Sequence, residues 1–197
     1  KSSVVSKVYP YNGRLYIRIY EPVLYNSKIE AIICIQVSLE KIYQKFVRPI
    51  KAGEKGYASV KDQTGVLLMH PKKEDLGKNV MAARKQEFPE YDWSELENLV
   101  EKQKNGESGV GIYHSIWYTD KEKKRIKKIS AYSPARIDHQ FWIVNISMDY
   151  NEMTGFIRNR TYTGIALNFI IVLVFISFMR DMAFPQKMEK LICCHQI

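Results

Sequence analysis

Leu15, Ile17 and Ile19 alternate with polar or charged neighbours, the period-two signature of a half-buried strand. Asn26-Ser27-Lys28 supplies a turn, and Ile29 to Val37 is a mainly apolar run that predicts a strand buried on both faces. Ser38 is placed to cap a helix through Phe46, and only a polar, Tyr-bearing lead precedes this hairpin. A second unit opens at Lys51. Gly53-x-x-Gly56 leads into strand YASVKD, and Gln63-Thr64-Gly65 turns the chain into strand VLLMHP, a hairpin by its turn chemistry. After a loop, Asp92 or Ser94 caps a helix with the apolar stripe Leu96, Leu99 and Val100, ended by Lys104-Asn105-Gly106. Strands are predicted over 109–118, 126–133 and 140–149. The class is α+β: an antiparallel sheet with helices segregated to one side.

The pattern changes completely at 161–179, TYTGIALNFIIVLVFISFM, where 11 of 19 residues are Leu, Ile, Val or Phe and none is charged. These side chains favour membrane insertion by about 3–7 kcal/mol before the polar residues are subtracted. As a helix the run is about 28 Å long, close to the hydrocarbon thickness of a bilayer. It is predicted to cross a membrane once. Arg158 and Arg160 precede it, and Arg180, Lys187 and Lys190 follow it, a bias that puts the C-terminal end in the cytoplasm and residues 1–160 outside. A chain beginning at Lys1 with an external domain reads as a fragment of a longer protein.

Composition narrows the chemistry. Three cysteines in 197 residues exclude a disulfide scaffold; Cys34 has no partner in the large domain, and Cys193 and Cys194 fall on the expected cytoplasmic side. His70, His114, His139 and His195 share no metal-ligand spacing, and no phosphate loop, nucleophile elbow or nucleotide fingerprint occurs. No enzyme activity, cofactor or metal is expected. The net charge of +9 is concentrated in KEKKRIKK at 121–128, the tip of a hairpin, with six acids over 86–104 to balance it. Lacking stacking aromatics and a backbone-tracking groove, this patch argues against nucleic acid.

GEKGYASVKDQTGVLLMHPKKEDLGKNV closely resembles the first hairpin of Cache domains, the PAS-like extracytoplasmic sensors of bacterial receptors, at Gly53, Gly56, Tyr57, Asp62, Gly65, His70, Pro71 and Gly77. IYHSIWY, IKKISAYSPA and FWIVNISMDY continue the resemblance. YEPVLYNSKIEAIICIQVSLEKIY looks like the end of the membrane-distal half of a double Cache receptor. The resemblance implies a remnant of that distal module over 1–40, a PAS-like sensor domain over 45–150, a juxtamembrane helix over 151–160, the span at 161–179, and the start of a cytoplasmic linker over 180–197. It implies sensing of a small ligand and signalling across the membrane, most naturally for a sensor histidine kinase; a chemoreceptor, a diguanylate cyclase or a surface binding protein are the alternatives. The expected partners are a small molecule such as an amino acid or carboxylate, the membrane, and a second copy of the chain in a homodimer.

Within this frame one sheet face stands out. Tyr113, Ser115 and Trp117 fall on one side of their strand, and Lys128, Ser130 and Tyr132 on the matching side of its neighbour. Aromatics, hydroxyls and a cation together suit a polar small-molecule pocket better than a core. In a PAS-like topology the Arg84 region folds over this face, where a guanidinium pairs with a ligand carboxylate or with Glu87 or Glu90. These seven residues are the candidate ligand site.

Overall fold

The computed structural model describes residues 2–120, 122 and 124–193, and gives no burial for 156–158 and 181–193. Lys121 and Lys123 of the basic turn, and Cys194 and His195, lie outside the described residues. Two compact units result, Lys1–Glu152 and Met153–Ile197.

The first sheet is built on the long hairpin of β3 (Arg14–Tyr25) and β4 (Lys28–Ser38). Asn26 and Ser27 both adopt positive φ, as a two-residue hairpin turn requires. Two strands too short to show any periodicity, β1 (Val4–Val5) and β2 (Tyr9–Tyr11), lie along the other edge of β3, where the sequence predicts only a polar lead. The expectation for β4 is overturned. Ile32 is 61% exposed and Ile33 53%, so both of its faces are open. Only β3 pairs with it, and among the described residues no layer covers it. Helix α1 (Leu39–Ile42) follows and continues as a π-helical turn over Tyr43–Val47; Ser38 precedes it without a side-chain cap.

The second sheet is wholly antiparallel. It comprises β5 (Lys51–Ala52), β6 (Gly56–Asp62), β7 (Leu67–Met69), β8 (Gly109–Ser115), β9 (Ile126–Ile137) and β10 (Gln140–Asp149), in the order β5-β6-β10-β9-β8 with β7 beside β6. First and last long strands therefore meet at the centre. Between β7 and β8 the chain crosses one face as α2 (Val80–Glu87) and α3 (Ser94–Lys104). The stripe Leu96, Leu99 and Val100 is buried as its spacing predicts, against Tyr113, Tyr132 and Ile143. The α2 segment, expected as loop, is a helix capped by Asn79, whose side chain accepts from the N–H groups of Met81 and Ala82. It carries no apolar stripe; its buried residue is Arg84.

The opposite face shares a core with the first sheet. Trp142, Ala58, Val60, Leu68 and Met69 bury against Ile17, Leu39 and Val47. Residues 1–40 are thus part of the same unit as the second sheet, and removing them would expose its apolar face. After Asp149 the chain enters α4 (Tyr150–Cys193), one continuous helix through the predicted juxtamembrane and spanning segments. Tyr150–Arg180 is long and apolar enough to cross a membrane.

Candidate functional site

Antiparallel partners share a face, so the register fixes which side chains meet under α2 and α3. Tyr57, Ser147, Ser130 and Gly111 form one row across β6, β10, β9 and β8; Asp149, Lys128 and Tyr113 form the next. Ser59, Asn145, Tyr132 and Gly109 form a row toward the other end, which α3 covers. The uncovered end is roofed by His70 after β7, Asp75 in a 3₁₀ turn, Arg84 of α2, and Trp117 and Tyr118 after β8. Tyr57 is the hub: its ring lies edge-on to His70 at 5.1 Å, Tyr118 at 5.2 Å and Trp117 at 5.6 Å between centroids.

The hydroxyls form an ordered chain. Ser130 donates to the Ile146 carbonyl at 3.1 Å and Ser147 donates to Ser130 at 3.2 Å, so Tyr113 must donate to Ser147, at 3.1 Å. His70 Nδ1 lies 3.1 Å from the Lys72 N–H and 3.4 Å from the Lys72 carbonyl oxygen; the shorter contact makes Nδ1 the acceptor, and on that assignment the ring proton is on Nε2, which donates to the Tyr57 oxygen at 3.1 Å. Desolvation pushes the His70 pKa down to about 4, so the ring is neutral. Burial likewise holds Tyr57 and Tyr113 protonated.

The charges are unevenly matched. Arg84 is 7% exposed; Nη1 donates to Glu87 at 3.1 Å and Nη2 lies 3.8 Å from Asp75, which also pairs with Lys72 at 3.1 Å. Lys128, 2% exposed, donates to the Ile116 carbonyl and stands 3.7 Å above the Trp117 ring, with no carboxylate at ion-pair distance among the described residues. Burial, then the nearby Arg84, pulls its pKa down to about 7, against a weaker opposing pull from Asp149. Trp117 is 1% exposed and its Nε1 donates to no acceptor among the described residues.

Of the predicted site residues, Arg84, Tyr113, Trp117 and Lys128 come together here. Ser130 is present but committed to the hydroxyl chain, and Ser115 is buried at the end of β8 on the same face. Tyr132 leaves the site. It is four residues along β9 from Lys128, about 13 Å at strand rise, and its ring packs in the apolar core beneath α3. Of the partners expected for Arg84, a ligand carboxylate, Glu87 or Glu90, the structure shows Glu87, and it adds Asp75, which was not anticipated. Tyr57, His70, Asp75, Tyr118 and Ser147 were missed as site residues. Extending the alternation to Asn145, Ser147 and Asp149 of β10 would have found Ser147.

A second cleft, of about 570 Å³, is lined by Leu15, Leu39, Tyr43, Leu68 and Met69 and is also bordered by His70. Its rim charges Arg14, Glu40 and Lys73 are paired with one another. With those charges satisfied, it offers a polar ligand little to pair with. The unpaired cation makes the polar end of the sheet the stronger candidate.

No protein-family model and no curated protein matches the sequence. Solved structures match the fold. The extracellular domain of the proposed histidine kinase mmHK1S-Z3 aligns with a TM-score of 0.58 at 22% identity, over 80% of this chain and 53% of its own. The periplasmic sensory domain of the Campylobacter jejuni chemoreceptor Tlp1 gives 0.53 at 12% identity, over 77% and 50%. The ligand-binding domain of the Pseudomonas aeruginosa amino acid chemoreceptor PctB, in complex with L-Gln, gives 0.51 at 16% identity, over 85% and 60%. This chain therefore spans from half to three fifths of those domains. At such identities the likeness is one of fold: this is the fold of extracytoplasmic sensor domains, as the resemblance to Cache domains implies.

Proposed function

We propose that the chain is the ligand-sensing and signal-transmitting part of a bacterial membrane receptor, with the unit of residues 1–152 outside the membrane, α4 spanning it, and a small molecule bound at the polar end of the sheet. One observation carries this reading: a buried ammonium with no carboxylate at ion-pair distance among the described residues, Lys128, is the cross-strand neighbour of Asp149, the residue that leads into α4. The Asp149 carboxylate accepts the Asn151 N–H at 2.8 Å, and Lys127, next to Lys128, lies 4.3 Å from the Tyr150 ring centroid. A ligand that neutralises Lys128 acts one residue from the start of the helix. It transmits a signal to the extent that it favours one of two arrangements there.

A histidine kinase is the favoured output, supported by the likeness to mmHK1S-Z3, with a chemoreceptor as the alternative supported by Tlp1 and PctB. Two copies of the chain acting as a homodimer are part of the same proposal. The test is thermal melting of the full chain in detergent against a panel of amino acids and carboxylates, repeated on Lys128→Met. A compound that raises the melting temperature of the parent and not of the variant supports the site. No response to any compound overturns it.

A further inference from the structure

Resting on that reading, we infer that the ligand is a small carboxylate without an ammonium group, recognised by the Lys128 ammonium, the Trp117 indole N–H and the Tyr57 hydroxyl. The balance of donors and acids around the site carries this. Asp75 is held between Lys72 and Arg84, Glu87 accepts from Arg84, and Asp149 accepts the Asn151 N–H. The donors are in surplus. Lys128 has one carbonyl and one ring face for three protons. The Tyr57 oxygen accepts from His70 Nε2, which leaves its own proton to give.

Among the described residues, the buried polar atoms without a protein partner belong to Tyr9, Trp117, Arg125 and Trp142. Trp142 lies on the opposite face of the sheet, Tyr9 in the first sheet, and Arg125 before β9; Trp117 is the one inside the polar cluster. Its ring is in contact with both Lys128 and the Tyr57 ring, so the three donors belong to one cluster. A carboxylate accepts from several donors at once and supplies the missing countercharge. The ammonium of an amino acid would instead meet Lys128 and Arg84, with the nearby acids already engaged.

Matched pairs that differ by the ammonium group provide the test: acetate, propionate and succinate against glycine, L-alanine and L-aspartate, on the full chain in detergent. At about a hundredfold excess over Kd, a carboxylate is expected to raise the melting temperature by roughly 5–10 °C. Its amino counterpart is expected to leave it unchanged at the same concentration. Lys128→Met, which keeps the side chain up to Cε but removes the ammonium, and Trp117→Phe, which keeps a ring but removes the N–H, should each weaken the carboxylate at least about tenfold. Stabilisation by the amino acids alone, or by both series equally, overturns the inference while leaving ligand sensing standing. A carboxylate shift that survives both substitutions places the binding elsewhere and overturns it as well. No shift from either series or from the wider panel overturns both readings.

Discussion

Lys61 donates from its ammonium to Oε1 of Gln103, joining β6 to α3 across a face from which both side chains are almost wholly hidden. Around it stand Gln103 from α3, Ile143 opposite on β10 and Leu67 opposite on β7, with no carboxylate at ion-pair distance among the described residues. Desolvation pulls its pKa down to about 8, far below the ~10.4 of an unfolded chain. Between those values the unfolded state binds more protons, so stability rises with pH through this window. As pH falls through 8 that stability is lost, and below it the buried charge costs on the order of 3 kcal/mol. Thermal melts should therefore climb from pH 7.5 to 9.5. Lys61→Met paired with Gln103→Leu should flatten much of that rise and be neutral or stabilising at pH 7. An unchanged slope would separate Lys61 from the pH dependence.

Lys128 makes the same argument a readout of binding. It faces Arg84 of α2, Asp149 of β10, Tyr113 of β8 and His70 beyond β7, with a pKa pulled down to about 7. At pH 8 the free site is mostly unprotonated there. A bound carboxylate restores the charged form, so binding takes up close to one proton per ligand. Calorimetric titrations in two buffers of different ionisation enthalpy measure that number. Uptake near zero at pH 8 would remove Lys128 from contact with the anion.

How much of this was legible in the sequence follows from what alternation can and cannot report. Period two placed Tyr113, Ser115, Lys128, Ser130 and Tyr132 on one face correctly, because adjacent antiparallel strands keep their faces in register. It could not say where along β9 helix α3 would lie, and so could not separate Lys128 from Tyr132. Arg84 was legible as a residue folded over the face but not as a helical one, since VMAARKQE lacks an apolar stripe. Its burial also sets its energetics. Held by Asp75 and Glu87 and 7% exposed, Arg84 is part of the fold, and Arg84→Ala strands two partners rather than merely trimming a ligand contact. The apolar run of β4 reads the same whether another layer covers it or not. Sequence supplies its hydrophobicity, while burial depends on a partner that hydrophobicity does not name.

The start of α4 is held from the sheet by Glu152, whose carboxylate accepts the Glu54 N–H in the turn between β5 and β6. Gly53 of that turn has φ +65°, and a Cβ there would run into the same carboxylate. Glu152→Ala should cost about 1 kcal/mol and raise amide exchange over residues 149–155, with the melting of the remaining sheet little changed. Gly53→Ala should do the same from the other side, through the strained φ and the displaced carboxylate. Hydrogen exchange identical to the parent in both variants would show that this contact does not hold the helix.

The native cysteines test the topology without introduced probes. Cys34 is exposed on β4, whereas Cys193 is the last residue of α4 and Cys194 follows it, beyond the uncharged run 161–179. With α4 crossing the bilayer, a membrane-impermeant maleimide should label intact cells at Cys34 alone, and Cys34→Ser should abolish that labelling. Permeabilisation should then add Cys193 and Cys194. The positive charge after the run, Arg180, Lys187 and Lys190, favours this orientation over its reverse. Labelling of Cys193 and Cys194 in intact cells, with Cys34 protected, would invert it. Equal labelling of all three before permeabilisation would mean that α4 lies outside the bilayer, and the path proposed from Lys128 through Asp149 would then end at the membrane surface.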